Sequence, residues 1–465
     1  TTAAAAIVLA LAGGAAAARP ILVTDPGDAG PGTLREALAE AAAGAAPAQI
    51  LVLTEGDIAI SETLAYEGRA PLAIYGRGQS VTSDANVTLL AVTEGADLTV
   101  DNLSFAGPGG FSIEARGDAE GPAGKGIFLD LRDDQTGTVT LVLNRVRVSD
   151  VAGHGVHVSD CDLADACGGG GGGAGGGSPA SISVHLTNVA IDSVGRGAFD
   201  SDGLRVDERG AGGIRFVTDA SMFTRVGADG VELDEGQAGS VVVLATGARF
   251  TANGDYCDPA VLGADMPAAD EGEFDDGEMM PADIPAEVSG SPDDDCIERD
   301  VALYDSGAVE EYEFGLDLDD GFDVDEAGPG GISALIVGGE IAGNFDEGLD
   351  FDEEGPGGID LTTLDLRASG NNDDAVKLSE EDQGGVAAMA LRGTARDNGG
   401  VGLVFEEAGA GDLAARVEGI TTAGNDDGAT SIEAVQEDAG TGTLRITGAT
   451  LAGDVEADGV QVMRE

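Results

Sequence analysis

The segments DGFDVDEAGPGGIS from Asp320, EGLDFDEEGPGGID from Glu347 and DAVKLSEEDQGGVA from Asp374 begin 27 residues apart, and this interval constrains the fold more than any other feature. GLVFEEAGAGDLA continues the series with Leu403 in the place of Phe322, Leu349 and Val376, while DGLRVDE from Asp202 and DGVELDE from Asp229 keep the interval upstream. Two wider gaps resolve into whole repeats plus an insertion, at 161–180 and 257–296. Within one unit GLDFDE alternates apolar and polar residues, EGPGG turns, IDLTTLDLRAS alternates again and GNND turns. Period two bounded by turn residues marks β-strands, and strands recurring without helices between them cannot build βαβ units. The predicted fold is therefore all-β, a right-handed parallel β-helix solenoid in which each coil packs only on its neighbours. Leu349, Phe351, Ile359, Leu361 and Leu364 are expected to point inward. About 13 coils at the ~4.8 Å spacing of adjacent strands give a rod of about 60 Å. Asn253, Asn344, Asn371, Asn398 and Asn425 recur in phase, and asparagine suits left-handed turns and stacked hydrogen bonds, so they are expected to form a structural ladder.

The 86 acidic and 23 basic residues give a formal charge of −63. Such a surface repels nucleic acid and anionic membranes, whose binding rests on Lys and Arg. With 42% hydrophobic residues the chain is not of the disordered type, so the charge sits on a folded surface. Only Lys125 and Lys377 are lysines, and low Lys with high Asp and Glu also fits adaptation to high salt.

TTAAAAIVLALAGGAAAARP reads as the apolar part of a secretory leader, residues 1–18, too short for a membrane span. Residues 19–53 then form an N-terminal cap and 54–465 the β-helix, in a secreted or cell-surface protein. Four cysteines agree with export: Cys161 and Cys167 bracket one insertion, Cys257 and Cys296 the other, and of three possible pairings these two local bridges are the simplest.

VTDPGDAGPGTLREALAEAAAGAAPAQILVL, from Val23 to Leu53, resembles the N-terminal cap of bacterial secreted β-helix proteins of the CSLREA or polymorphic-outer-membrane type. The rest of the chain is similar to pectate-lyase-like β-helices in general. The resemblance implies fold and export; such families include adhesins and surface proteins. Physically, a helix over Thr33–Ala43 would cover the first coil, with Thr33 as N-cap and Glu36 completing a capping box.

Acidic residues recur at the strand ends: Asp207 and Glu208, Asp234 and Glu235, Asp325 and Glu326, Asp352, Glu353 and Glu354, Glu380 and Glu381, Glu406 and Glu407. Like charges one rung apart cost about 1 kcal/mol per pair in water and more near protein, so the ladder calls for a counter-ion. Calcium, which takes hard oxygen ligands, is the cation expected on this face. GHG at Gly153–Gly155 resembles one motif of polygalacturonase-like hydrolases, but the partner motifs are missing and only His154 carries over, so GHGVHV reads as an ordinary strand. Lys377 lies where Arg205, Glu232, Asp323 and Asp350 recur, and carboxylates around it should raise its pKa, which suits an ion pair rather than a base. The expectation from these residues is a noncatalytic adhesin, matrix or filament subunit that stacks end to end or holds a surface polysaccharide. The alternative is a polysaccharide lyase or glycoside hydrolase, to be marked by a unique cluster of Arg, Lys and carboxylates in a groove.

Overall fold

A computed structural model describes residues 20–112, 123–160, 177–258, 260, 270–274, 277, 296–303, 309–316 and 318–465. Alternation in GLDFDE becomes the strand Leu349–Glu353, and alternation in IDLTTL becomes Ile359–Leu364. A sharp corner at Asp365, φ 57°, leads into the short strand Arg367–Ser369. The same corner recurs at Asn188, Ala220, Gly247, Gly338, Arg392 and Gly419, all with positive φ. Glycine and asparagine take this conformation readily, whereas Ala220 and Arg392 adopt it at a steric cost that the flanking strands must hold.

Stacked coils place their first strands in one parallel sheet of twelve, from Leu64–Tyr66 to Asp454–Asp458, here called the acidic sheet. The other strands of each coil join a parallel sheet of 23 strands. The chain is thus a right-handed parallel β-helix, the hand that parallel crossovers adopt. Residues 257–296 leave the stack intact, because Glu232 pairs directly with Asp323 and Val241 with Ile332 across it. Three antiparallel strands, Asp270–Glu273, Ile297–Leu303 and Val309–Leu316, follow Cys257, which is joined to Cys296 by a disulfide. Cys161, Cys167, the leader and most of 161–180 lie outside the described residues.

Inward residues form one continuous core from the helix to the last coils. Leu349, Phe351, Ile359 and Leu361 are buried in it as expected. Leu364 is only half-buried; strict alternation after Leu361 turns Thr363 inward, at 5% exposure, and Leu366 resumes the core beyond the corner. The helix spans Leu34–Ala42, with Leu34, Ala37, Leu38 and Ala41 on the buried face. Thr33 Oγ1 accepts from the Glu36 N–H, but Glu36 reaches back to the Gly32 N–H at 2.6 Å, one residue before the cap.

The asparagine ladder runs through the interior: Asn253, Asn344, Asn371 and Asn398 each donate from Nδ2 to the Oδ1 of the next, at 3.1, 3.0, 3.0 and 2.8 Å. The left-handed position is not the asparagine itself but the residue before it, Ala252, Gly343, Gly370, Asp397 and Gly424. That bend turns each asparagine side chain inward, where its amide satisfies backbone N–H groups that the coil would otherwise bury unpaired. Among the described residues no helix is long and apolar enough to cross a membrane.

Candidate functional site

Pairing in the acidic sheet sorts its residues into rows. One outward row reads Phe128, His157, Arg205, Glu232, Asp323, Asp350 and Lys377. Two residues on, a second outward row reads Asp130, Ser159, Asp207, Asp234, Asp325, Asp352, Ser379 and Glu406. The next position turns inward and holds Glu208, Glu235, Glu326, Glu353, Glu380 and Glu407, all at 0% exposure.

The acids expected on one face therefore divide. Asp352, not Glu354, stands level with Asp325, and Ser379 interrupts the outer acids where Glu380 and Glu381 had been placed. Glu354 and Glu381 begin the turns, their N–H groups donating to the carbonyls of Glu326 and Glu353. Asp207 and Asp234 face outward yet are buried and held by arginines: Arg205 Nε donates to Asp207 at 2.7 Å, and Arg209 pairs with Asp234. Burial pushes the Asp234 carboxyl up despite Arg209 and Arg205.

The upper rungs bring unlike groups together. His157 Nε2 lies 2.6 Å from Asp207 Oδ2, and its Nδ1 meets the Lys125 ammonium. A carboxylate only accepts, so Nε2 carries the proton and the Nδ1 lone pair takes a hydrogen from Lys125. Burial, then the Lys125 charge, depress the imidazole to about 3, so His157 is neutral. Burial alone would raise Asp207, but Arg205 and His157 hold it well below the usual carboxylate range. Arg205 spans the cluster, donating to Asp207, to Glu232 at 2.7 Å and to Asp200 at 2.9 Å. The His154 ring lies 4.6 Å from that of His157, tilted by 47°; His154 accepts the Asp202 N–H at 3.0 Å, and burial also keeps it neutral. Lys125 lies 4.9 Å from the Phe128 ring centroid, which confines its ammonium to one side.

Two to four rungs below Arg205 lies a second cluster. One oxygen each of Asp320, Glu347 and Asp350 lie within 4.8 Å of one another. Lys377 Nζ is 2.8 Å from Asp350 and 3.5 Å from Glu347. Although burial works against its charge, Asp350, Asp352 and Glu347 raise its pKa, so Lys377 is an ion-pair partner as the sequence predicted. Burial, then Glu347 and Asp350, push Asp320 well up, and burial and Asp350 push Glu347 up to about 7. Asp320 Oδ1 and Asp350 Oδ1 are buried without a hydrogen-bond partner. Hard oxygens without donors, crowded around a single ammonium, fit a divalent cation such as calcium.

Lys125, His157 and Asp202, and the trio Asp320, Glu347 and Asp350, were absent from the sequence-level acidic ladder. A signal existed for His157: GVHVSD aligned on GLRVDE puts it level with Arg205 and Ser159 level with Asp207. Lys125 precedes its strand and belongs to no repeat, so only the folded chain brings it to His157.

No family model matches the chain, and no curated protein matches it. Among solved structures it is similar to the periplasmic alginate epimerase AlgG, with 9% identity over 90% of this chain and 77% of that one and a TM-score of 0.44. It is also similar to the A-module of the Azotobacter vinelandii mannuronan C-5 epimerase AlgE4, with 12% identity, 93% of each chain and a TM-score of 0.37. Pectate lyase Pel9A shows 13% identity over 90% of this chain and 72% of that one, with a TM-score of 0.36. The expectation of a noncatalytic adhesin, matrix or filament subunit is corrected by the sheet itself: in place of uniform rows of acids it holds a cluster of Lys125, His157, Arg205 and Asp207 that no other rung repeats among the described residues.

Proposed function

We propose that the protein is an exported carbohydrate-active enzyme that removes the proton α to a carboxylate in a uronate polymer, with His157 as base. The hydrogen-bonded series Lys125, His157, Asp207, Arg205 carries the proposal. An incoming carboxylate competes for the Lys125 ammonium. That contact exposes the Nδ1 lone pair and offsets the charge that, after burial, most depresses His157. The imidazole pKa then rises toward the working range of a general base. Asp207 keeps the tautomer and stabilises the imidazolium as the C–H bond breaks, and Arg205 is a positioning residue that fixes Asp207. The electron pair delocalises into the carboxyl group beside Lys125. Its collapse either expels the glycosidic oxygen on the neighbouring carbon, which leaves as a hydroxyl with the proton held by the His157 imidazolium, or takes a proton from water on the opposite face with inversion, the imidazolium then losing its proton to solvent. Glycoside hydrolysis needs two carboxyls free to act as acid and base or nucleophile, whereas Asp207 is already committed to His157 and Arg205.

Asp320, Glu347 and Asp350 would hold calcium on the same sheet, giving a local positive charge that offsets the repulsion between an acidic sheet and an acidic polymer. Calcium is expected to raise the melting midpoint of metal-stripped protein, by about 2.7 kcal/mol of stability at 100-fold excess over Kd. Asp350→Asn should abolish the shift; equal midpoints with and without calcium in the parent would remove the cation from the account. The enzymatic reading is tested by incubation with alginate, pectate and a neutral glucan, following ultraviolet-absorbing unsaturated ends, reducing ends and inverted residues. Unsaturated ends or inversion on an acidic polymer support it; reducing ends alone, or no change on either acidic polymer, contradict it.

A further inference from the structure

We infer that Glu208, Glu235, Glu326, Glu353, Glu380 and Glu407 form a ladder of carboxylic acids that share protons from coil to coil, a spine holding the rod together in its protonated state. The six are consecutive in register, Glu208 on Glu235, Glu235 on Glu326, Glu326 on Glu353, Glu353 on Glu380 and Glu380 on Glu407. Each is at 0% exposure, on the opposite side of the sheet from the two outward rows.

Where a donor reaches them it comes from the glycine turn of the same coil. Glu208 Oε1 accepts from the N–H groups of Gly210 and Gly212, both at 3.2 Å, Glu326 Oε1 from Gly328 at 3.3 Å and Glu407 Oε1 from Gly411 at 2.8 Å. These turns need glycine: a Cβ at Gly330, Gly357 or Gly384 would stand 1.6–2.6 Å from the backbone carbonyl of the neighbouring coil's turn, at Gly239, Gly330 and Gly357. The second oxygens have no such donor. Glu208 Oε2, Glu326 Oε2 and both oxygens of Glu235, Glu353 and Glu380 are buried and unsatisfied as carboxylates.

Ionised carboxylates one strand spacing apart would repel by about 3–4 kcal/mol per neighbouring pair in a partly buried setting. Among the described residues, the charged groups recorded as acting on the row from outside it are Asp160, Asp382 and Asp412, all acids; the Arg209 backbone N–H binds Asp160 and its guanidinium pairs with Asp234. A proton on one rung donates to an oxygen of the next, removing the charge and supplying the missing donor together.

The ends of the row identify the proton rather than a metal as the filler. Gln436 occupies the rung after Glu407, its amide N–H donates to Glu407 Oε2, and its carbonyl accepts the Leu413 N–H at 2.9 Å. A neutral donor-acceptor thus stands where a protonated glutamate would. Asp160, before Glu208, is a terminal acceptor, taking the N–H groups of Ser178 at 2.7 Å and Arg209 at 2.8 Å. In keeping with this, burial and then neighbouring glutamates push Glu326 up to about 10, Glu208 up to about 9 and Glu380 up to about 8.

Groups with raised pKa in the folded chain stabilise it fully below the usual glutamate value and lose that stabilisation as pH rises through about 8–10. Outer acids such as Asp374, raised to about 8 by burial and Asp373, titrate in the same range, so the reading is a difference between variants. Melting midpoints of the parent and of Glu353→Gln and Glu326→Gln are compared from pH 5 to 10 in a chelator-containing buffer. The parent midpoint should fall with pH, and each amide variant should fall less steeply and exceed the parent at pH 9. Parallel slopes would overturn the ladder, as would a fall that added cations abolish equally in parent and variants. Infrared spectra of the folded parent at pH 7 give an independent reading. A protonated-carboxyl C=O band that shrinks in each glutamine variant is expected, and its absence from the parent overturns the proposal.

Discussion

His157→Ala is expected to lower turnover on a uronate polymer by about 10²–10⁴-fold, the contribution of a positioned general base. Its side chain is 12% exposed and holds the buried Asp207, so turnover is read at a temperature where circular dichroism shows the variant folded. Lys125→Met should behave differently. Losing the ammonium removes the contact with the substrate carboxylate and also a cause of the low His157 pKa, so KM rises and the acidic limb of the pH profile shifts. Arg205→Lys tests positioning: a single ammonium cannot span Asp207, Glu232 and Asp200 as the guanidinium does. Its kcat should fall with KM little changed. Full activity in His157→Ala would show that the base lies elsewhere.

Phe322→Ala is expected to destabilise the protein by about 3–5 kcal/mol, the range for deleting a buried aromatic ring. Phe322 is 0% exposed and begins the first strand of the acidic sheet after the long insertion. Its ring centroid lies 5.1 Å from that of Phe250, 5.7 Å from Phe216 and 5.4 Å from Phe351, so it joins coils before the insertion to coils after it. Phe322→Leu keeps most of the volume and should cost less than about 1.5 kcal/mol. Calorimetry would show the alanine variant unfolding earlier. A loss below about 1 kcal/mol, or two separated transitions in the parent, would mean that the core does not run continuously past the insertion.

The architecture was legible because a solenoid writes its period into the chain: strands that stack at one interval demand apolar residues, turns and asparagines at that interval. Orientation within the repeat was harder. Leu364 and Thr363 exchange roles because backbone pleating, not hydrophobicity, decides which residue faces in just before a left-handed corner. The acids misled in the same way: Asp325 and Glu326 are neighbours in sequence, yet one faces outward and the other the interior, so a single charged ladder is two rows of opposite environment. The site was least legible, since Lys125 stands outside any repeat, and the alignment of His157 with Arg205 across the 161–180 insertion does not by itself show that Lys125 and Asp207 close on the imidazole. Repeats reveal what is common to coils, and chemistry resides in the rungs that depart from the common pattern.

The most direct test of the catalytic row uses a uronate polymer labelled with tritium at the carbon α to its carboxyl group, with release of label into water as the measure. Elimination and inversion both begin by breaking that bond, so either outcome reports on the same step. The account predicts label release by the parent, at least a hundredfold slower release by His157→Ala, and faster release as pH rises through the substrate-bound imidazole pKa. No release by the parent, or undiminished release by His157→Ala, would contradict it.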